Sequence, residues 1–277
     1  IAEDPEYSKF VWENGYWLND YALFMAVKTR FDGKHWGEWA EDIKRRYGYA
    51  LDYYRKECYF EIEFYKYLQF VFVKQWNKLK EYANENGIEI IGDMPIYVAS
   101  DSADAWASPE LFQFDENFEP YAVAGCPPDA FSADGQLWGN PLYRWDYHKR
   151  TDYDWWAKRM SHSFKMYDVV RIDHFRGFDE YYSIPADEKT AMNGHWEKGP
   201  GIELFRAMED TIGRKRIIAE DLGDLSPAVY ELLEESGLPG MKILEFAFGS
   251  DDPSNDCLPY NFRKNCVCYP GTHDNMP

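Results

Sequence analysis

Five short apolar runs, each closed by or leading into a polar residue, constrain this chain more than any other feature. They span Ile88–Asp93, Val169–Asp173, Arg216–Glu220, Met241–Phe246 and Asn265–Tyr269. Runs this short, rich in Ile and Val, read as buried strands. Helical stretches at 152–166, 201–213 and 225–236 separate several of them. Strands alternating with helices specify a parallel sheet. The last three runs recur at about 25 residues, a spacing that suits single βα units.

Four runs carry a carboxylate near their C-terminal end: Asp93, Asp173, Glu220 and Glu245. The fifth leads to His273 and Asp274. Polar side chains gathered at strand C-termini are the habit of the (β/α)8 TIM barrel. A doubly wound sheet also places its sites there, but with a Gly-rich phosphate loop that this chain lacks. The expected fold class is therefore α/β, a (β/α)8 barrel. A closed barrel has more strands than can be counted here, so an incomplete barrel is expected.

Residues 15–86 read as mainly helical, with Asp20 a candidate cap for a helix over 16–28. In the long stretch 55–86, Tyr59, Ile62, Tyr65, Phe70, Val73, Trp76 and Leu79 recur at roughly helical spacing, and Gly87 is placed to end the helix. The proline-rich segment 94–150 reads as an irregular insertion forming an active-site rim within a single catalytic unit, 1–277.

Composition narrows the function. The formal net charge of −19 argues against nucleic acid, which needs a basic footprint, and against anionic membrane surfaces. No apolar run approaches membrane-spanning length. The 11 Trp and 22 Tyr are mostly core by expectation, but exposed rings would suit the flat faces of sugars. Five cysteines without a C-x-x-C pair suggest a reduced, cytoplasmic protein rather than a zinc site or disulfide framework. Cys266 and Cys268 suit one face of a strand. The chain starts at Ile1 and ends in a polar loop, which reads as a piece of a longer polypeptide.

Arg171 and Asp173 share one side of their strand. A sheltered carboxylate needs a partner, and Arg171 can hold Asp173 ionised. The pair reads either as a nucleophile poised for an anomeric carbon or as a structural ion pair. Glu220 follows Ile217, Ile218 and Ala219, an apolar setting that raises a carboxyl pKa toward general-acid use. Asp221 would face the other way and reads as a loop or capping residue. Asp274 alone reads more readily as part of an ordinary polar loop than as a functional residue. Retaining glycoside chemistry needs one carboxylate nucleophile and one acid/base a short distance apart, and a third carboxylate can grip the sugar.

Five segments then carry a resemblance. Gly92–Val98 (GDMPIYV), Gly135–Trp145 (GQLWGNPLYRW), Val169–Phe178 (VVRIDHFRGF), Ile218–Gly223 (IAEDLG) and Gly271–Asn275 (GTHDN) resemble, in order, motifs of the amylomaltases. These are 4-alpha-glucanotransferases, or disproportionating enzymes, of the alpha-amylase clan. The resemblance implies barrel strands 3 to 7, with a long insertion after strand 3. It implies transfer of alpha-1,4-glucan segments between malto-oligosaccharides by a retaining double displacement. Asp173 would be the nucleophile, Glu220 the acid/base and Asp274 the third catalytic carboxylate. Arg171, His273, Asp93, Trp138, Phe131, Asp129 and Asn275 would bind substrate. The chemistry needs no metal or organic cofactor. An alpha-glucan hydrolase of the same clan, or a non-catalytic glucan-binding module, would use nearly the same surface. The family's chain is much longer, so these residues alone are expected to turn over substrate weakly or not at all.

Overall fold

A computed structural model describes residues 4–129, 132–223, 225–249 and 251–272. In chain order the helices are α1 (Pro5–Glu13), α2 (Gly15–Arg30), α3 (Glu41–Lys44), α4 (Gly48–Glu57) and α5 (Tyr59–Glu85). Then follow β1 (Ile91–Met94), α6 (Ala103–Ala107), β2 (Ala122–Cys126), β3 (Gln136–Pro141), α7 (Trp145–Arg150) and α8 (Asp154–Met166). The rest comprises β4 (Val169–Ile172), β5 (Glu180–Pro185), β6 (His195–Lys198), α9 (Ile202–Ile212), β7 (Ile217–Ala219), α10 (Pro227–Ser236), β8 (Gly240–Ile243) and β9 (Cys266–Tyr269). These elements gather into two compact units.

The first unit holds residues 1–86, 97–144 and 184–194. Asp4 caps α1, accepting from the Glu6 N–H at 2.9 Å, and Pro5 stands at the first helical position, where no N–H is needed. On α2, Leu18, Ala22, Leu23, Phe24, Ala26 and Val27 are buried at i, i+4 and i+8 spacing. Asp20 caps nothing: it lies mid-helix and pairs with Arg46 at 2.7 Å. Helix α5 ends where Gly87 adopts φ +73°, as expected of a glycine just past a helix. Its apolar stripe is a different matter. Among the residues with expected helical spacing, only Ile62 and Phe70 are buried, and Tyr59 and Leu79 are exposed. Spacing predicted the helix but not which face the unit covers.

The stretch after β1 is more regular than its prolines suggest. Ser102 accepts from the Ala105 N–H at 3.2 Å and starts α6. Strands β2 and β3 form an antiparallel ladder, and a side chain at Gly125 would come within 2.1 Å of the Gln136 carbonyl. Trp106 is fully buried, donates to the Ile43 carbonyl at 3.0 Å and lies under the Arg46 guanidinium at 4.2 Å. Aromatic bodies with satisfied N–H groups thus make much of this core.

The second unit holds residues 87–96, 145–183 and 195–277. All five expected strands are present as β1, β4, β7, β8 and β9, each preceded in this unit by a helix or loop. Strand β4 runs parallel to β1 on one side and β7 on the other, with Asp93 opposite Arg171 and Arg171 opposite Ile218. Strands β8 and β9 form a separate parallel pair. Between β7 and β8 the Ala219 N–H donates to the Pro239 carbonyl at 2.9 Å, and the Met241 N–H donates to Asp221 Oδ1 at 2.5 Å. A side chain therefore stands in for a ladder bond at that seam. Asp221 lies in the loop after β7 and is buried there; it does not cap α10, whose cap position is Ser226. Strands β5 and β6 add an antiparallel hairpin whose ladder in this unit pairs Glu180–Ser183 with His195–Lys198. No helix among the described residues is long and apolar enough to cross a membrane.

Candidate active site

Val169, Ile218, Met241 and Ile243 pack together on one face of the parallel strands, with Leu222, Val267 and Tyr269 against them. Strand alternation puts Arg171 on the same face as Val169, one step nearer the C-terminal end. Burying a guanidinium demands partners, and two carboxylates supply them. Arg171 Nη1 donates to Asp93 Oδ1 at 2.6 Å, and Nη2 lies 2.9 Å from Asp173 Oδ1. Burial works against the Arg171 charge, but the Asp93 hydrogen bond and the charges of Asp93, Asp173 and Glu220 raise its pKa. Arg171 thus bridges the ends of β1 and β4. Both aspartates keep nearly half of their side-chain surface open.

Glu220 follows β7 directly. Its backbone continues the pairing, with its N–H donating to the Ile172 carbonyl at 3.0 Å and its carbonyl accepting from the Phe175 N–H at 3.1 Å. Its carboxyl accepts from two backbone N–H groups, Leu222 to Oε1 and His174 to Oε2, both at 2.8 Å. Burial raises its pKa. Those two hydrogen bonds pull it back, the Asp173 charge raises it further and Arg171 lowers it. The net shift is upward. Glu220 thus holds its proton more tightly than an ordinary glutamate, next to an aspartate held by an arginine. Opposed environments for two neighbouring carboxyls are how one site carries an acid and a nucleophile.

The remaining expected residues divide. Asp129 and Trp138 belong to the first unit. Asp129 accepts from the Ser132 N–H at 2.7 Å, and Trp138 lies on β3, half-exposed, with its ring 6.2 Å from Tyr97. Phe131, His273, Asp274 and Asn275 lie outside the described residues. Glu245 stands at the end of β8, exposed, at the start of a 3-10 turn.

Sequence reasoning missed His174 as part of this site. It adopts φ 53° and ψ 48°, the left-handed region. Nothing in the residue type announces that conformation, although His tolerates it better than most. Arg176, two residues further on, turns its guanidinium to the ring of Trp196 on β6, 4.0 Å away. No group of His, Cys, Asp and Glu able to hold a metal ion occurs among the described residues.

The model of the 4-alpha-glucanotransferase family matches residues 2–277. A 4-alpha-glucanotransferase of Clostridium butyricum is 50% identical over 274 residues, covering 99% of this chain and 56% of that protein. One from Streptococcus pneumoniae is 49% identical over 276 residues, covering 99% and 54%. An amylomaltase from Streptococcus agalactiae in complex with acarbose superposes with a TM-score of 0.94 at 48% identity, over 97% of this chain and 54% of that one. An amylomaltase from Corynebacterium glutamicum shares the fold, with a TM-score of 0.76 at 22% identity. The likeness fits a partial α/β TIM barrel, and the chain spans about half the length of the curated relatives it matches. With the five motifs in family order and a family model matching almost end to end, this chain belongs to the 4-alpha-glucanotransferase family.

Proposed function

We propose that this chain forms the catalytic core of a 4-alpha-glucanotransferase that moves alpha-1,4-glucan segments between malto-oligosaccharides with retention. The observation that carries the reading is the pairing of Asp173 with Arg171 beside a partly buried Glu220 whose carboxyl pKa is raised. In the first step an Asp173 oxygen bonds to the donor's anomeric carbon. The glycosidic C–O bond breaks, and the Glu220 proton passes to the leaving 4-oxygen. In the second step the acceptor's 4-hydroxyl gives its proton to Glu220, and its oxygen displaces Asp173 from the same carbon. The carboxylate is regenerated and the configuration is retained.

Arg171 holds Asp173 ionised and oriented while Asp93 holds Arg171. Asp274 and His273, from the GTHDN motif, complete the grip on the distorted sugar, with Asn275 beside them. Trp138 and Phe131 offer apolar faces to the glucan, and Asp129 offers a hydrogen-bonding group. The full protein completes the eight-stranded barrel, of which strands 3 to 7 are assigned to this chain. Acarbose in the Streptococcus agalactiae relative supports an oligosaccharide ligand.

Incubation of the full-length protein with maltotriose is expected to give glucose together with a ladder of longer chains. Only shorter products would make it a hydrolase. Asp173→Ala is expected to remove turnover, and activity surviving that change would remove Asp173 as nucleophile. The 277 residues alone are expected to show weak or no turnover, because they span only about half the length of the relatives they match.

A further inference from the structure

We propose that His174 is a positioning residue for the acid/base: its left-handed backbone lets two successive N–H groups meet Glu220, its own at Oε2 and that of Phe175 at the carbonyl, so that one turn orients both catalytic carboxyls. The inference rests on the assignment of Glu220 given above. The turn begins at Asp173, whose N–H donates to the Met94 carbonyl at 3.0 Å and so fixes it against β1. It continues through His174, φ 53°, and closes with the Phe175 N–H on the Glu220 carbonyl at 3.1 Å. The peptide before His174 sets where its N–H points, and its left-handed φ and ψ turn the next peptide so that the Phe175 N–H meets the Glu220 carbonyl at the same time; a right-handed or extended residue there could not keep both that bond and the 2.8 Å bond to Oε2. A non-glycine residue holds the left-handed region only where its surroundings enforce it.

The surroundings here are specific. Phe175 and Phe178 on either side of the short 3-10 turn are fully buried. A side chain at Gly177 would come within 2.8 Å of Ile96 Cδ1 and 3.1 Å of His174 Cδ2, so the imidazole lies packed over that glycine. Nε2 of the ring is out of solvent. Burial, aided by the nearby Arg176 charge, pushes the imidazole pKa down to about 4, so the ring stays neutral while the enzyme works. A neutral ring does not compete with Arg171 for Asp173 or Glu220. The charged groups that face Glu220 are therefore Asp173 and Arg171 from β4, with Asp93 behind Arg171. On the neighbouring β8, Lys242 lies on the opposite strand face.

The test is the pH profile of kcat/KM in the full-length protein. Its alkaline limb reports loss of the Glu220 proton in the free enzyme. The His174 N–H stabilises the carboxylate, so unseating the turn from Glu220 loses that bond, raises the Glu220 pKa and moves that limb to higher pH. The expected shift is about one pH unit, the scale of one charge-assisted hydrogen bond. His174→Val disfavours the left-handed region and should move the limb, lowering kcat at least about tenfold while KM changes little. His174→Asn and His174→Gly tolerate that region and should leave the limb in place. If the valine variant does not fold, His174→Ala, with a smaller backbone penalty, carries the same expectation in smaller measure. A limb unmoved by Val and Ala would overturn the proposal. So would equal shifts in Asn and Gly, which would make the imidazole rather than the backbone responsible. Glu220→Gln separates the underlying assignment: if turnover survives it, Glu220 is not the acid/base, whatever happens at position 174.

Discussion

Arg171 and Lys242 are both strand cations held between two carboxylates, and the second unit uses them in opposite ways. Arg171 lies on the face that bears Val169, between Asp93 and Asp173, and leaves them 45% and 44% exposed. Lys242 lies on the face turned away from Met241 and Ile243, between Asp221 at 3.6 Å and Asp256 at 2.6 Å. There Asp221 is only 2% exposed. A guanidinium can serve two carboxylates through its fork and still leave each open to a ligand, whereas an ammonium is a point charge that its partners enclose. Burial works to lower the Lys242 pKa, but the Asp256 hydrogen bond and the charges of both aspartates raise it, so the charge is kept. The teaching is that similar triads of charge are told apart by what they leave exposed. The first leaves both of its carboxylates open, whereas the second leaves only Asp256 open and buries Asp221 in a seam between strands.

The sharpest way to break this contrast is at Lys242. Lys242→Met should leave Asp221 buried without its counter-ion, at a cost of about 3–5 kcal/mol in urea unfolding. A loss under about 1 kcal/mol would mean that the Met241 N–H alone satisfies Asp221 and that the lysine is incidental.

At the other triad the effect should fall on rate. Arg171→Lys puts a shorter point charge in place of the two-armed fork and loses the separate Nη1 and Nη2 contacts to Asp93 and Asp173, so kcat in the full-length protein should drop about 100-fold, with unfolding changed by less than about 1 kcal/mol. The reverse pattern, a stability loss with kcat intact, would return Arg171–Asp173 to a plain structural ion pair.

A third measurement uses pH. His174 titrates near 6.5 when unfolded and near 4 when folded, so the unfolded state binds the extra proton between those values. Stability is whole above about pH 6.5 and falls as pH drops toward 4, by roughly 3 kcal/mol for a shift of this size. Burial acts oppositely on Glu220 and Asp179, whose raised carboxyl pKa values cost stability as pH rises. The difference between the wild type and His174→Asn isolates the histidine. That difference should grow in favour of the asparagine variant from pH 7 to pH 4, and a flat difference would mean the imidazole is not buried neutral.

What the sequence made legible follows the same physical division. Asp173 and Glu220 could be found because strand ends follow hydrophobic runs, and Arg171 because strand alternation puts residues two apart on one side. The Asp93–Arg171 bond depends on the register between β1 and β4, which no local pattern encodes. Asp221 was placed in a loop, but its buried bond to the Met241 N–H was not legible, because nothing near it signals that the β7–β8 seam takes a side-chain acceptor there. His174 was invisible because a left-handed histidine is enforced by packing against Gly177, which is a tertiary fact. On α5 the period gave the helix, yet burial of a stripe depends on what lies opposite it.

The smallest effect separates the two ends of the Lys242 triad. Asp256 is half open to water, and its bond to Lys242 is the shorter of the two at 2.6 Å, so distance alone would rank it first. Burial ranks it second, because solvent screens an exposed charge and replaces a lost partner. Asp256→Asn also keeps an oxygen that can accept from Lys242. The expected cost is therefore under about 1 kcal/mol, and it should shrink further in 0.5 M salt. Asp221→Asn, at the longer distance but in the dry seam, should cost more, since it leaves the buried ammonium with one exposed counter-ion. If the two asparagine variants were equal in urea unfolding, the exposure of each carboxylate would not be what sets its weight. The contrast drawn between Arg171 and Lys242 would then fail with it.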